Sequence, residues 1–221
     1  MLTTNYRRRV DDIEEIFRLL QFLLSIETHR RKPLVHPYTE NTLIVTQEML
    51  CVAKAQFLIV LYNLVESTVC DCLNAVYDAI LDENLVFQDL SNEMRNMWRS
   101  YLRRKCAPEV AMSDEEIKVM PIKFDALAIN ISGSLDFRKI HDVFSKHGCL
   151  LDVSNREMIA NSFLVVKTKR NYLAHGNVSF SACGSNYMLS DLFKFKKHIV
   201  DYMGDVVVRT NQYISDGKYR V

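Results

Sequence analysis

Arg170 and His175 stand five positions apart in the run Lys169-Arg170-Asn171-Tyr172-Leu173-Ala174-His175-Gly176. The two types together suit phosphodiester chemistry without a metal. Cleaving RNA through its own 2′-hydroxyl needs a base that works near neutral pH, and an imidazole ordinarily titrates near about 6.5. It also needs a permanent cation for the extra negative charge of a phosphorane-like transition state. A guanidinium supplies that charge with a planar fork that matches phosphate oxygens. The expected products are a 2′,3′-cyclic phosphate and a 5′-hydroxyl, and DNA, lacking the attacking oxygen, should resist. Asn171 can orient His175 or donate to phosphate. A plainer role also fits, because cations at a helix C-terminus interact favourably with the helix dipole and the last carbonyls. Asn171 and His175 share a helix face, whereas Arg170 and His175 lie about 140° apart on an ideal helix. A distorted last turn is therefore expected to bring the pair together, with Gly176 free to take the left-handed conformation after it.

Other titratable residues offer less. His29 and His36 flank a proline-containing loop, His141 and His147 fall on a short amphipathic helix, and His198 lies among lysines. None makes a two-histidine i, i+4 pair with a carboxylate. Cys70 and Cys72 are two apart on a helical stretch, roughly 200° around it, which is poor geometry for chelating one ion. Neither a metal nor a cofactor is expected. Cys51, Cys70 and Cys72 fall within a helical pattern with no signal peptide ahead of them, so reduced thiols in a cytoplasm are expected. A glycine-rich phosphate loop, a GxSxG elbow and a CxxC pair are all lacking, which leaves NTPase, serine-hydrolase and thioredoxin-type readings without support.

The elements that must position these residues read as helices. Six glycines and four prolines in 221 residues, with 48% hydrophobic and 25% charged residues, disfavour turn-rich β architectures and allow a sizeable core. Apolar residues at three- and four-residue steps predict a first helix over about Asn5 to Arg31. A proline-containing loop over Lys32 to Thr42 follows. A second helix of nearly forty residues is predicted from about Leu43 to Asp82, a third over Phe87 to Cys106 with Trp98 in the core, and later ones over Asp136 to His147, Asn155 to His175 and Asp191 to Ile214. Ala107 to Leu135, with Pro108, Pro121, Gly133 and a predicted N-cap at Ser113, reads as an irregular excursion. The polar tail after Ser215 is expected to fray. The expectation is thus an all-α, up-and-down bundle of four to five main helices in one domain, 1–221, with an irregular insertion around 107–135. Met49 to Val65 is the most apolar stretch, but Lys54, Gln56 and Asn63 interrupt it, so it reads as a core helix rather than a membrane span. A formal net charge of +1 excludes a broadly basic nucleic-acid coat, so any such site is local. Basic clusters stand at Arg7 to Arg9, Arg30 to Lys32, Arg103 to Lys105 and Lys167 to Arg170, with solvated helix ends as the plainer reading.

Arg170-Asn171 through His175-Gly176, inside a late helix of an all-α chain, resembles the Rx4–6H motif of the HEPN superfamily (higher eukaryotes and prokaryotes nucleotide-binding). The run on to Phe180, then Gly184, Tyr187 and Asp191-Leu192, is similar to a prokaryotic branch associated with defence and toxin–antitoxin loci, as is Leu61-Tyr62-Asn63-Leu64-Val65-Glu66-Ser67. The resemblance implies a helical bundle that forms a homodimer so that two Arg/His pairs line one cleft. It implies a metal-independent endoribonuclease acting on RNA as a toxin or abortive-infection effector, with an antitoxin or another defence-locus protein as a further partner and no membrane. By matching position Arg170 and His175 take the catalytic roles and Asn171 the polar auxiliary role. Glu66 is the candidate supporting carboxylate, with Asn63 one turn away on its face; its plainer role is a helix-face carboxylate paired with a structural arginine. A non-catalytic HEPN module that binds RNA or a protein is the alternative, and a purely helical scaffold, in which the motif only caps a helix, a third.

Overall fold

A computed structural model describes the chain except for residues 1, 29–32, 37, 40, 106–114, 116–117, 126–127, 130, 132–134 and 152–155. The predicted N-cap at Ser113, Pro108, Gly133, His29 and the Arg30 to Lys32 cluster lie outside the described residues. The architecture is all-α. Its helices are α1 (Leu2–Thr28), α2 (Gln47–Asp82), α3 (Asn92–Lys105), α4 (Phe137–Lys146), α5 (Arg156–Ala174), α6 (Phe180–Gly184) and α7 (Leu189–Ser215). The loop between α1 and α2 contains a minimal antiparallel hairpin, β1 (Leu34–Val35) with β2 (Thr42–Leu43), paired Leu34 to Leu43. The hairpin delays α2 past its predicted start, and Thr46 Oγ1 then accepts from the Met49 amide as the helix begins.

Four helices end the same way. Asn84, Gly148, Gly176 and Gly217 have positive φ of 52°, 77°, 69° and 64°. At each, the next residue donates its N–H five positions back, as in Leu85 to Ile80, Cys149 to Phe144, Asn177 to Tyr172 and Lys218 to Tyr213. The left-handed residue itself donates three positions back in every case. This is the Schellman closure, which satisfies the last carbonyls without unwinding the helix.

The chain divides into two compact units, 1–3 with 66–160 and 202–221, and 4–65 with 161–201. The second unit is built on α1, the first half of α2, most of α5, α6 and the first half of α7. Ile13, Phe17 and Leu20 of α1 are buried, as are Phe57, Leu58 and Leu61 of α2, Phe163 and Val166 of α5, and Leu192 and Ile199 of α7. Phe17 meets Phe57 and Phe193 at ring separations of 5.4 and 5.9 Å. Lys196 of α7 lies over the Phe17 ring at 4.6 Å and donates to both Glu14 oxygens, at 2.7 and 2.6 Å, tying α7 to α1.

The first unit holds an aromatic cluster. Phe124, from the irregular stretch, stacks on Tyr77 at 4.3 Å and meets Trp98 edge-on at 5.2 Å, and Trp98 stacks on Tyr101 at 5.1 Å. Trp98 is a core residue, as its spacing predicts. The Ile122 amide donates to the Leu85 carbonyl at 3.1 Å, so this part of the 107–135 stretch is pinned to the end of α2. The tail after Ser215 does not fray. Tyr219 is buried and donates to Glu83 at 2.6 Å, Arg220 pairs with Glu83 at 2.7 Å, and Ser91 and Val221 bond back to Tyr219 and Asp89. The polar composition of the tail hides one large aromatic that anchors it.

By length and composition α2 is long and apolar enough to cross a membrane, and half of its most apolar stretch is buried inside the protein, as in a core helix. The five described cysteines, Cys51, Cys70, Cys72, Cys149 and Cys183, are free thiols.

Candidate functional site

α5 carries the Arg170 to His175 run, and its periodicity fixes where each side chain leaves. Phe163, Val166 and Leu173 are buried and define the inward face. Arg170 falls within about 60° of all three around the helix, so its stem enters the same face. There its guanidinium carbon lies 4.7 Å from the ring centroid of Tyr62, a buried residue of α2. A cation so placed is attracted by the negative face of the ring. Its Nη1 donates to Asn171 Oδ1 at 3.3 Å. The structure therefore brings Arg170 and Asn171 together.

His175 is placed differently. It is the last residue before the left-handed Gly176 and is exposed, with its amide bonded to the Asn171 carbonyl at 3.1 Å. Its ring has no hydrogen-bond or ion-pair partner among the described residues. The expected distortion of the last turn is not there. The Schellman closure at Leu173 and Tyr172 keeps the backbone of the turn regular, so positions 170 and 175 stay about 140° apart around α5. Exposed Leu164 and Tyr172 share the outward half of the helix with His175. Lys169 lies over the Tyr172 ring at 5.8 Å.

Glu66 is half-buried on α2, four residues beyond Tyr62, and belongs to the first unit, whereas Arg170, Asn171 and His175 belong to the second. Asn63 is exposed.

The residues after His175 form a clamp. Ser179 caps α6 by accepting from the Ala182 amide at 3.2 Å. Gly184 at the end of α6 lies so close to α2 that a Cβ there would sit 1.8 Å from the Cys51 carbonyl oxygen. Buried Lys54 donates to the Tyr187 carbonyl at 3.0 Å, and the Asp191 carboxylate accepts from the Met188 amide at 2.8 Å to start α7. Leu192 is fully buried behind it. Burial pushes the Cys183 thiol up, against the opposing pull of Lys169, so this cysteine is poorly suited to nucleophilic work. Burial, aided by Cys183 and Asp191, pushes the Tyr187 phenol up to about 12, which keeps it neutral.

Tyr62 and Lys54 do not stand out as site-forming residues by type, and Gly184, though among the residues that carry the resemblance, does not announce its close approach to α2. Tyr62 does lie in the Leu61 to Ser67 run, where its apolar neighbours make it read as ordinary core.

A family model described as HEPN_MAE_28990:/-like HEPN matches residues 2–219. No curated protein and no solved structure matches the chain.

Proposed function

Because the chain belongs to the HEPN_MAE_28990:/-like HEPN family over residues 2–219, we propose that it is a metal-independent endoribonuclease with Arg170 and His175 as its catalytic residues. One observation carries the reading: an exposed imidazole at the end of the same helix on which a guanidinium, five residues earlier, is seated on a buried ring. His175 accepts the proton of a 2′-hydroxyl as that oxygen attacks the adjacent phosphorus. Arg170, with Asn171 beside it, stabilises the added charge on the phosphoryl oxygens. The 5′-oxygen leaves and takes a proton, giving the cyclic phosphate and the 5′-hydroxyl.

Base and acid in this reaction sit on opposite sides of the phosphorus, and one imidazole serves only one side at a time. A homodimer supplies the second His175. Exposed Leu164 and Tyr172 on the same outward half of α5 support pairing through that face. Glu66 is the supporting carboxylate in this proposal. The single family model over 2–219 supports reading both units as one functional domain. The likeness of the 61–67 and 170–192 runs to defence and toxin–antitoxin proteins supports a cytoplasmic toxin or abortive-infection effector held by an antitoxin.

The purified protein should cut single-stranded RNA in EDTA and leave DNA intact. His175→Ala and Arg170→Ala should each abolish cleavage while keeping the wild-type helix content, and His175→Ala should relieve growth arrest on expression. Arrest by EDTA, or normal cutting by His175→Ala, sinks the mechanism. A second reading, a non-catalytic HEPN module that binds RNA, is favoured by the regular backbone of the last turn, which keeps positions 170 and 175 about 140° apart around α5. RNA held without turnover across several sequences would select it.

A further inference from the structure

The first unit contains basic residues that the catalytic reading leaves unused. α3 has five of them, Arg95, Arg99, Arg103, Arg104 and Lys105, against Glu93 alone, a formal +4 on a chain whose total is +1. Met94, Trp98 and Tyr101 bury one side of this helix. Two of the cations are held closely by the fold, and Arg104 gives one longer bond, from Nη2 to the Ala128 carbonyl at 3.4 Å, which uses one of its donors. Arg95 donates to the Phe87 and Gln88 carbonyls at 3.2 and 2.5 Å, and Lys105 pairs with Asp125 at 2.7 Å. Arg99, Arg103 and Arg104 are exposed and have no carboxylate partner among the described residues. Arg99 lies over the Phe87 ring at 5.0 Å, a contact that steadies the side chain.

The end of α3 borders a cavity of about 250 Å³, lined by Ser100 and Arg104 of α3, by Lys139, Asp142 and Lys146 of α4, and by aliphatic walls including Met97 and Val143. Asp142 is shared between Lys146 at 2.9 Å and Lys139 at 3.5 Å, so three cations face one carboxylate. The volume exceeds the roughly 150 Å³ that holds a benzene ring, which leaves room for one unstacked base. An acidic peptide would satisfy the cations but has no flat ring of that size attached to its charge. A nucleotide unit couples the two.

We propose that Arg99, Arg103 and Arg104 with this cavity form a second contact site for single-stranded RNA, phosphates on the arginines and one base in the cavity. The proposal rests on the reading of RNA as substrate and adds to it a binding surface away from the reacting residues. It is tested on the full chain made inert by His175→Ala, by fluorescence anisotropy with a labelled oligouridylate across a salt series. Adding Arg99→Gln, Arg103→Gln and Arg104→Gln is expected to weaken binding at least about tenfold at low salt. The same change should reduce the slope of log affinity against log salt by roughly one for each phosphate no longer neutralised. Ser100→Glu alone, which sets a carboxylate on the cavity wall, is expected to weaken binding with every arginine in place. This variant carries the test should the triple variant lose helix content.

Removing three exposed arginines of α1 instead, Arg7→Gln, Arg8→Gln and Arg18→Gln, is expected to leave the slope unchanged. An equal loss there, or wild-type binding by the α3 and Ser100 variants, overturns the proposal. In an otherwise wild-type chain the α3 changes should raise KM for a long RNA more than they lower kcat. Should the wild-type chain cut no RNA while binding still depends on α3, the catalytic reading fails and this site stands.

Discussion

The Arg170 guanidinium lies over the Tyr62 ring, so the tyrosine acts as a floor on which the cation is seated. Cation–π contacts of this kind contribute about 0.5–2 kcal/mol, which corresponds to roughly a two- to thirtyfold change in rate if that seating is needed in the transition state. Tyr62→Leu should therefore lower single-turnover cleavage within that range and Tyr62→Phe should restore it. Tyr62→Leu cleaving at the wild-type rate would show that the ring only fills space. His147 is a second case where surroundings decide the chemistry. The Val143 carbonyl, 2.7 Å from Nδ1, can only accept, so Nδ1 bears the proton and Tyr77 donates its hydroxyl to Nε2 at 2.7 Å. Burial holds the His147 pKa below its ordinary value, more than the Val143 bond raises it. The neutral ring thus belongs to the folded state. Below about pH 6.5 the unfolded chain takes up a proton that the folded one refuses, so stability is full above that pH and declines as the pH falls through it, at up to about 1.4 kcal/mol per unit. Urea midpoints between pH 5 and 8 should show this slope, and His147→Gln should flatten it. Residue types alone point to Arg170, Asn171 and His175 because guanidinium and imidazole at one helix end are chemically conspicuous. They are silent on Tyr62, because an aromatic between leucines looks like packing.

Among the elements, the long helices are legible from apolar periodicity, and Asp136, Gly148 and Gly176 mark two of them at their ends as capping rules expect. The last turn of α5 departs from its expected distortion for a physical reason: a left-handed glycine can close a helix without loosening it, so its presence does not announce distortion. α6 is too short for periodicity to reveal, and its placement depends on Gly184 meeting a backbone carbonyl far away in sequence. That close approach gives a contrast between two glycines. Gly184→Ala forces a Cβ to within 1.8 Å of the Cys51 oxygen and should cost more than about 3 kcal/mol, with loss of any cleavage. Gly176→Ala meets nothing within 4 Å and bears only the strain of positive φ, about 1 kcal/mol. Denaturant titrations that rank the two the other way would contradict the docking of α6 on α2.

Over the whole molecule, all-α class follows from composition and spacing, and the family match from residue 2 to 219 extends almost to both ends. The return of the tail is not legible, since Asp216, Lys218 and Arg220 dominate its composition while Tyr219 supplies its anchor. Tyr219→Ala should destabilise by about 3 kcal/mol or more, whereas Lys218→Ala should change the urea midpoint little. Comparable midpoints would mean that the tail is dispensable to the fold.

The two histidines that precede Gly148 and Gly176 occupy the same cap, one roofed by tyrosines and one open to water. A single reagent can therefore report on two properties at once. Diethyl pyrocarbonate should carbethoxylate His175 in the native protein and reach His147 only after global opening. In peptide maps of one digest, protection of His175 would read occupancy by RNA or a second copy, with unreacted His147 certifying that the sample was still folded.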